Sequence, residues 1–178
     1  MILKLALQEA TQILKEAKIT SARLDAEVIL MFVLSKSKEF IFSEPNHELT
    51  DFQESRFLKL INKRADNRPV AYITKTKEFF NLNFDVNQNV LIPRPDSEML
   101  VNEALSLIKK EDLKSVTDIG TGSGAVAISI AKNSPETTVT ATDISDRALN
   151  VTKKNAKDNN VKIKLFKGNL LQPIKNQS

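Results

Sequence analysis

Asp118-Ile119-Gly120-Thr121-Gly122-Ser123-Gly124-Ala125-Val126-Ala127-Ile128 is the stretch on which the fold turns. The chain holds only 4 glycines, and three of them, Gly120, Gly122 and Gly124, alternate within it. Ser115-Val116-Thr117 leads in with a strand-like pattern, and Ala125 to Ala131 leads out with small and β-branched apolar residues suited to a buried helix. The reading is strand, glycine turn, helix. Glycine accepts positive φ and lets a ligand approach the backbone where a Cβ would clash. The helix that follows offers unpaired N–H groups and the positive end of its dipole, which suits an anionic or acceptor-rich ligand.

A tight βα connection with no ligand would use the same residues, and one Gly-x-Gly does not separate the two. Its surroundings favour a ligand. A second strand-like run, Thr137 to Ala141, ends in Thr142-Asp143, which sets an acid about 20 residues past the glycines, where a nucleotide-binding half-fold holds a ribose. Gly120 to Ala125 also fits the dinucleotide pattern in its alanine-ended form, which keeps an NAD-dependent oxidoreductase open. Asp118 argues against that reading. A carboxylate there repels a pyrophosphate but favours the cationic amino-acid portion of a ligand such as S-adenosylmethionine.

Upstream of the turn, the first third of the chain has a helical period. Leu3, Leu7, Ala10, Leu14 and Ala17 share one face, Thr20-Ser21 offers a cap before Leu24, Val28, Met31 and Phe32, and a short segment around Phe40-Ile41-Phe42 ends at Pro45. Thr50 with Gln53 makes a capping box for a helix lined by Phe57, Leu60, Ile61 and Ala65, which Asn67-Arg68-Pro69 stops. These segments predict a helical bundle domain over residues 1–66. Ala71-Tyr72-Ile73-Thr74 and Leu82 to Val86 then read as strands, so residues 67–92 are expected to form a linking β-hairpin. Two prolines fix the backbone around Arg94 in Leu91-Ile92-Pro93-Arg94-Pro95-Asp96, a rigid loop expected over the ligand cleft. Asp96 or Ser97 caps a helix carrying Leu100, Ala104, Leu107 and Ile108.

Downstream, Asp146 to Asp158 reads as a helix and Val161 to Phe166 as a third strand closed by Gly168-Asn169-Leu170. Lys153, Lys154, Lys157, Lys162, Lys164 and Lys167 crowd this part; a solvated face explains them better than a nucleic-acid site. Open α/β sheets bind ligands at the carboxyl ends of their strands, which places Asn169 at an adenine edge. Three strands make half of such a sheet and leave the glycine strand with one edge unpaired. The chain is therefore expected to be a fragment.

Composition bounds the chemistry. The absence of cysteine excludes disulfides and thiolate metal sites, and His47, the only histidine, leaves no His-rich metal cluster. A net charge of +4 permits nucleic acid or ribosome nearby without requiring either. No export signal and no apolar run of the roughly 20 residues that span a bilayer is visible, so a cytoplasmic protein is expected.

Several stretches together resemble the glutamine methyltransferases of peptide chain release factors, the HemK or PrmC type. They are Arg23-Leu24-Asp25-Ala26-Glu27, Arg68-Pro69-Val70-Ala71-Tyr72-Ile73, Glu78-Phe79-Phe80, Val90 to Glu98 with its Pro93-Arg94-Pro95 core, and Asp118 to Ala127. The resemblance implies an α/β protein: a helical domain that recognises the release factor, a hairpin, and over residues 93–178 the first half of a class I, Rossmann-like methyltransferase sheet. It implies methyl transfer from S-adenosylmethionine to a glutamine side-chain amide. Gly120, Thr121, Gly122, Ser123 and Gly124 would cradle the methionine part, Asp143 the ribose, and Asn169 with Leu170 the adenine. The family usually carries Asp where Asn169 stands, and glycine where Lys75 and Asn81 stand. Its Asn-Pro-Pro-Tyr motif, which grips the substrate amide, would lie beyond Ser178, so no catalytic residue is assigned and little turnover is expected of this chain alone. The competing functions are an exocyclic-amine methyltransferase acting on nucleic acid, an NAD-dependent oxidoreductase, and a non-catalytic remnant that docks a partner.

Overall fold

The computed structural model describes residues 1–175; residues 176–178, at the end of the expected methyltransferase region, lie outside the described residues. The described chain forms two compact units, divided between Thr74 and Lys75.

The first unit comprises five helices: α1 (Leu3–Glu16), α2 (Ala22–Leu34), α3 (Lys38–Ser43), α4 (Asp51–Ala65) and α5 (Val70–Thr74). Leu3, Leu7, Ala10 and Leu14 of α1 pack with Ala26, Ile29 and Leu30 of α2 and Phe57 and Ile61 of α4 in one apolar core. The capping box forms: the Gln53 N–H donates to Thr50 Oγ1 at 3.2 Å, and the Thr50 N–H donates to Gln53 Oε1 at 3.0 Å. Ser21 precedes α2 but its side chain caps nothing; its hydroxyl donates to Asp25 Oδ2 at 2.8 Å, and Arg64 Nε donates to the same oxygen at 2.7 Å. Arg23 pairs with Glu27 at 2.5 Å, so the charged residues of Arg23 to Glu27 tie α2 to itself and to α4.

Ala71 to Thr74 is helical, which corrects the strand expected there. β-Branched Val70, Ile73 and Thr74 favour a strand in isolation, but Pro69 presets a helical φ at the entry, and the N–H groups of Tyr72 and Ile73 both donate to the Pro69 carbonyl. Val70 and Ile73, one helical turn apart, then reach the first core. The helical unit thus runs through Thr74 rather than ending at residue 66.

In the second unit a two-stranded antiparallel hairpin, β1 (Thr76–Phe79) and β2 (Leu82–Asp85), precedes α6 (Asp96–Lys110). Then come β3 (Ser115–Ile119), α7 (Ala125–Asn133), β4 (Thr138–Asp143), α8 (Asp146–Asp158) and β5 (Lys164–Lys167), with β3, β4 and β5 in one parallel sheet in that order. The third strand starts at Lys164 rather than Val161. Phe80 and Asn81 turn the hairpin with φ of 50° and 58°, the geometry of a type I′ turn. Lys75 also has positive φ, 61°, a left-handed backbone of the kind that favours the glycine the resemblance implies there. Phe79 and Phe84 of the hairpin join Val101 and Ile108 of α6, Ala127, Ile128 and Ile130 of α7, and Val139 and Ala141 of β4 in the second core.

Two expectations for α6 change. Pro95 occupies its N-cap and no side chain caps it; Glu98 instead accepts the Phe80 N–H at 2.9 Å. Of the expected stripe Ile108 is buried in the core and Ala104 packs against it, but Leu100 and Leu107 are 58% and 50% exposed and Val101 is buried instead. Among the described residues β3 pairs on one side only, with β4.

Candidate functional site

β3 delivers the chain to the glycine turn, and the backbone of β4 holds the turn in place. The N–H groups of Gly120 and Thr121 both donate to the Thr142 carbonyl, at 2.8 and 3.0 Å. All three glycines of the turn have positive φ: 74° at Gly120, 57° at Gly122 and 82° at Gly124. Gly124 is the N-cap of α7 and its carbonyl accepts the Ile128 N–H at 2.8 Å.

The three glycines serve two ends. A Cβ on Gly120 would meet nothing within 4 Å, and one on Gly122 only the Gly120 carbonyl at 4.0 Å. These positions face open space, so side chains there would occupy room that the backbone leaves free. A Cβ on Gly124 would lie 2.6 Å from Thr152 Cγ2 and 2.8 Å from Ile128 Cδ1, so this glycine lets α7 and α8 close on one another.

Two carboxylates border the turn. Asp118 Oδ2 accepts the Thr121 hydroxyl at 2.7 Å. Burial pushes the Asp118 carboxyl above the ordinary aspartate range, the Thr121 hydroxyl and the Ala127 N–H pull it back, and the charge of Asp143 adds a further push upward. A carboxylate so placed, without a cation among the described side chains bonded to it, favours a ligand that brings positive charge. Asp143, at the end of β4, accepts the Gly122 N–H on Oδ2 at 3.0 Å and the Ser145 N–H on Oδ1 at 2.9 Å. Each of its oxygens has acceptor capacity left for a diol.

The third strand arrives at the same place. The Gly168 N–H donates to the Asp143 carbonyl at 3.0 Å, and the Thr142 hydroxyl donates to the Leu170 carbonyl at 3.2 Å. Asp118, Gly120, Thr121, Gly122, Ser123, Gly124, Asp143, Asn169 and Leu170 thus gather at the carboxyl ends of β3, β4 and β5. Asn169 is exposed, as is Leu170, whose φ is 49°. Arg94 is exposed too; its carbonyl accepts the Ser97 N–H at 3.0 Å, and no hydrogen bond or ion pair among the described residues ties its side chain to the turn.

Sequence reading missed four residues of this network. Thr142 joins the turn to the loop after β5, and Ser145 caps α8 by accepting the Ala148 N–H at 3.2 Å. Thr152 and Asn155 are fully buried on α8, where Thr152 Oγ1 donates to the Gly122 carbonyl at 2.9 Å. The available signal was their position: polar residues in the stripe formed by Ala148, Val151 and Ala156. His47 packs edge-on against Phe40 in the first unit and belongs to no catalytic arrangement among the described residues. Lys154 pairs with Asp85 and Asp158, and Lys167 with Asp146, so part of the lysine cluster is neutralised locally. A cleft of about 600 Å³ lined by Leu105, Ile108, Leu113, Pro135 and Thr137 opens at the amino ends of β3 and β4. It lies opposite the end where parallel sheets place ligands, and polar lining residues pair with one another, Ser134 with Thr137 and Lys114 with Asp112.

No helix among the described residues is long and apolar enough to cross a membrane. A PrmC N-terminal domain model matches residues 6–74, and a methyltransferase small domain model matches residues 96–178. A release factor glutamine methyltransferase of Coxiella burnetii is 40% identical over 161 residues, which cover 89% of this chain and 58% of that protein. One of Clostridium botulinum is 38% identical over 173 residues, 96% of this chain and 61% of that protein. The chain therefore spans about three fifths of the length of these relatives. Among solved structures, the N-terminal domain of human METTL16 in complex with SAH matches 84% of this chain and 60% of that one, with 23% identity and a TM-score of 0.48.

Proposed function

We propose that this chain, which belongs to the family joining a PrmC N-terminal domain to a methyltransferase small domain, binds S-adenosylmethionine across the Gly120–Gly124 turn and contributes the cofactor-binding part of a release factor glutamine methyltransferase. The observation that carries the reading is the open backbone at Gly120 and Gly122 between two carboxylates. The cationic methionine portion faces Asp118, the ribose diol takes the remaining acceptor capacity of Asp143, and the adenine borders Asn169 and Leu170. An asparagine there accepts from the adenine amine without charge, which makes for weaker binding than an aspartate.

S-Adenosylmethionine supplies a methyl group on a sulfonium, to be taken by the nitrogen of a glutamine amide. That nitrogen is a poor nucleophile because its lone pair is delocalised into the carbonyl, so the protein's work is orientation. The share of that work done by this chain is to fix the ligand. The turn's N–H groups are tied to Thr142 and Asp143 before any ligand arrives, which leaves little to reorganise on binding. The helical unit recognises the release factor, and the protein works in the cytoplasm.

Thermal unfolding of the chain with S-adenosylmethionine, S-adenosylhomocysteine or NAD tests this. A ligand selective for the folded state, at 100 times its Kd, adds about 2.7 kcal/mol of apparent stability. The first two ligands are expected to raise the midpoint and NAD to leave it in place. A rise with NAD alone, or with none of the three, overturns the reading.

A further inference from the structure

The side chain of Asn155 makes three hydrogen bonds to two separate backbone segments. Its Oδ1 accepts the Asp85 N–H at 2.7 Å, and its Nδ2 donates to the Asp85 carbonyl at 3.0 Å and to the Ser123 carbonyl at 2.8 Å. The residue is 0% exposed. The amide thus pairs with both polar groups of Asp85 as a neighbouring peptide would, and spends its second N–H on the glycine turn. Only an amide matches this set: a carboxylate has no donor and a hydroxyl has one hydrogen. The orientation is fixed as well, because the flipped amide would set its NH2 group against the Asp85 N–H. Thr152, one turn earlier on α8, takes the Gly122 carbonyl at 2.9 Å. Successive carbonyls of the turn are therefore both held by α8.

We propose that Asn155 is a positioning residue for the ligand-binding turn, a single buried amide that sets Ser123 and the end of the hairpin in register, so that ligand affinity at the turn depends on it. The inference rests on the reading of the turn as the S-adenosylmethionine site. A turn with φ above zero at Gly120, Gly122 and Gly124 has little intrinsic preference for one shape, and an outside anchor on its carbonyls selects one. Without the amide, the buried Ser123 carbonyl and the half-buried Asp85 carbonyl and N–H lose partners together, and the turn moves to recover them.

Asn159 provides the control. It is the C-cap of the same helix and its Nδ2 donates to the Asn83 carbonyl at 3.0 Å, anchoring the hairpin without reaching the turn. S-Adenosylhomocysteine affinity is to be measured by calorimetric titration of the 178-residue chain and its variants, each below its own unfolding midpoint. Asn155→Ala is expected to weaken binding about tenfold or more, and Asn159→Ala to change it less than about twofold while lowering stability. Unchanged affinity in Asn155→Ala, or equal weakening in both variants, overturns the proposal. Should Asn155→Ala fail to fold, amide exchange of the unaltered chain decides: the Asp85 N–H is expected to exchange more slowly with S-adenosylhomocysteine bound, and an unchanged rate refutes the coupling. No binding by the unaltered chain refutes the proposed function itself, a result distinct from binding that ignores Asn155.

Discussion

The first unit leaves four large apolar side chains exposed, Leu5, Leu24, Phe42 and Phe52, each on a different helix, whereas the second exposes Met99, Leu100 and Leu107 on the single helix α6, and Ile119 on β3 among others. Single exposed apolar residues are ordinary, and three along one helix are less so. The helical unit closes its core with its own residues; in the sheet unit β4 pairs on both sides and β3, among the described residues, on one. The glycine turn sits where β3 hands over to α7, against the backbone of β4. The structure accordingly separates residues that serve packing alone from residues that serve packing and a site together.

The largest expected effect tests whether the first unit stands apart from the site. Phe57 is 0% exposed in the first core, and Phe57→Ala is expected to cost about 3–5 kcal/mol in denaturant unfolding of that unit. Affinity for S-adenosylhomocysteine should not change. A matching loss of affinity would break the comparison.

The second test falls on the glycine turn of the second unit. Gly124→Ala introduces a Cβ 2.6 Å from Thr152 Cγ2 at a φ of 82°. Overpacking and left-handed backbone together predict a loss of about 2–4 kcal/mol. Unfolding should shift in the transition that reports β3 to β5 and not in the helical one.

A smaller effect of opposite sign is expected at the hairpin. Lys75 holds a φ of 61°, so Lys75→Gly relieves backbone strain and should stabilise the second unit by about 1 kcal/mol. A loss on this substitution would mean that the Lys75 side chain contributes more than its backbone costs.

The smallest effect is a pH dependence at Asp118. Its folded carboxyl sits above the ordinary aspartate value of 3.8 because burial disfavours the charge. The folded state therefore binds the proton more tightly than the unfolded chain. The resulting contribution to stability is fully present below pH 3.8 and is lost as pH rises through the raised folded value. Compared over a pH series without ligand, Asp118→Asn should lack that loss and gain stability relative to the original chain toward neutral pH. Parallel pH profiles would remove the burial argument.

Much of this was legible in the sequence, and where it was not, tertiary contacts explain the difference. Alternating glycines after Ser115 to Thr117 marked the turn, and Asp143 marked the acid at the end of the second strand, because both rest on backbone chemistry that local sequence controls. The Thr50–Gln53 box formed as its spacing required. Ala71 to Thr74 misled because side-chain propensity spoke for a strand while Pro69 and the core contacts of Val70 and Ile73 spoke for a helix. The α6 stripe was half right, with Ala104 and Ile108 at the core, because Leu100 and Leu107 are as apolar as Val101 and only the packed neighbours tell the faces apart. Asn155 and Thr152 were hidden because their partners are main-chain groups 30, 32 and 70 residues away.

The claim on which the rest depends is that the open backbone at Gly120 receives S-adenosylmethionine. Calorimetric titration of the chain and of Gly120→Val tests it directly, since a side chain at that position meets no protein atom within 4 Å and projects into the space assigned to the ligand. The account predicts saturable one-to-one binding by the original chain and its loss in a folded Gly120→Val. Equal affinity in the two proteins would contradict it.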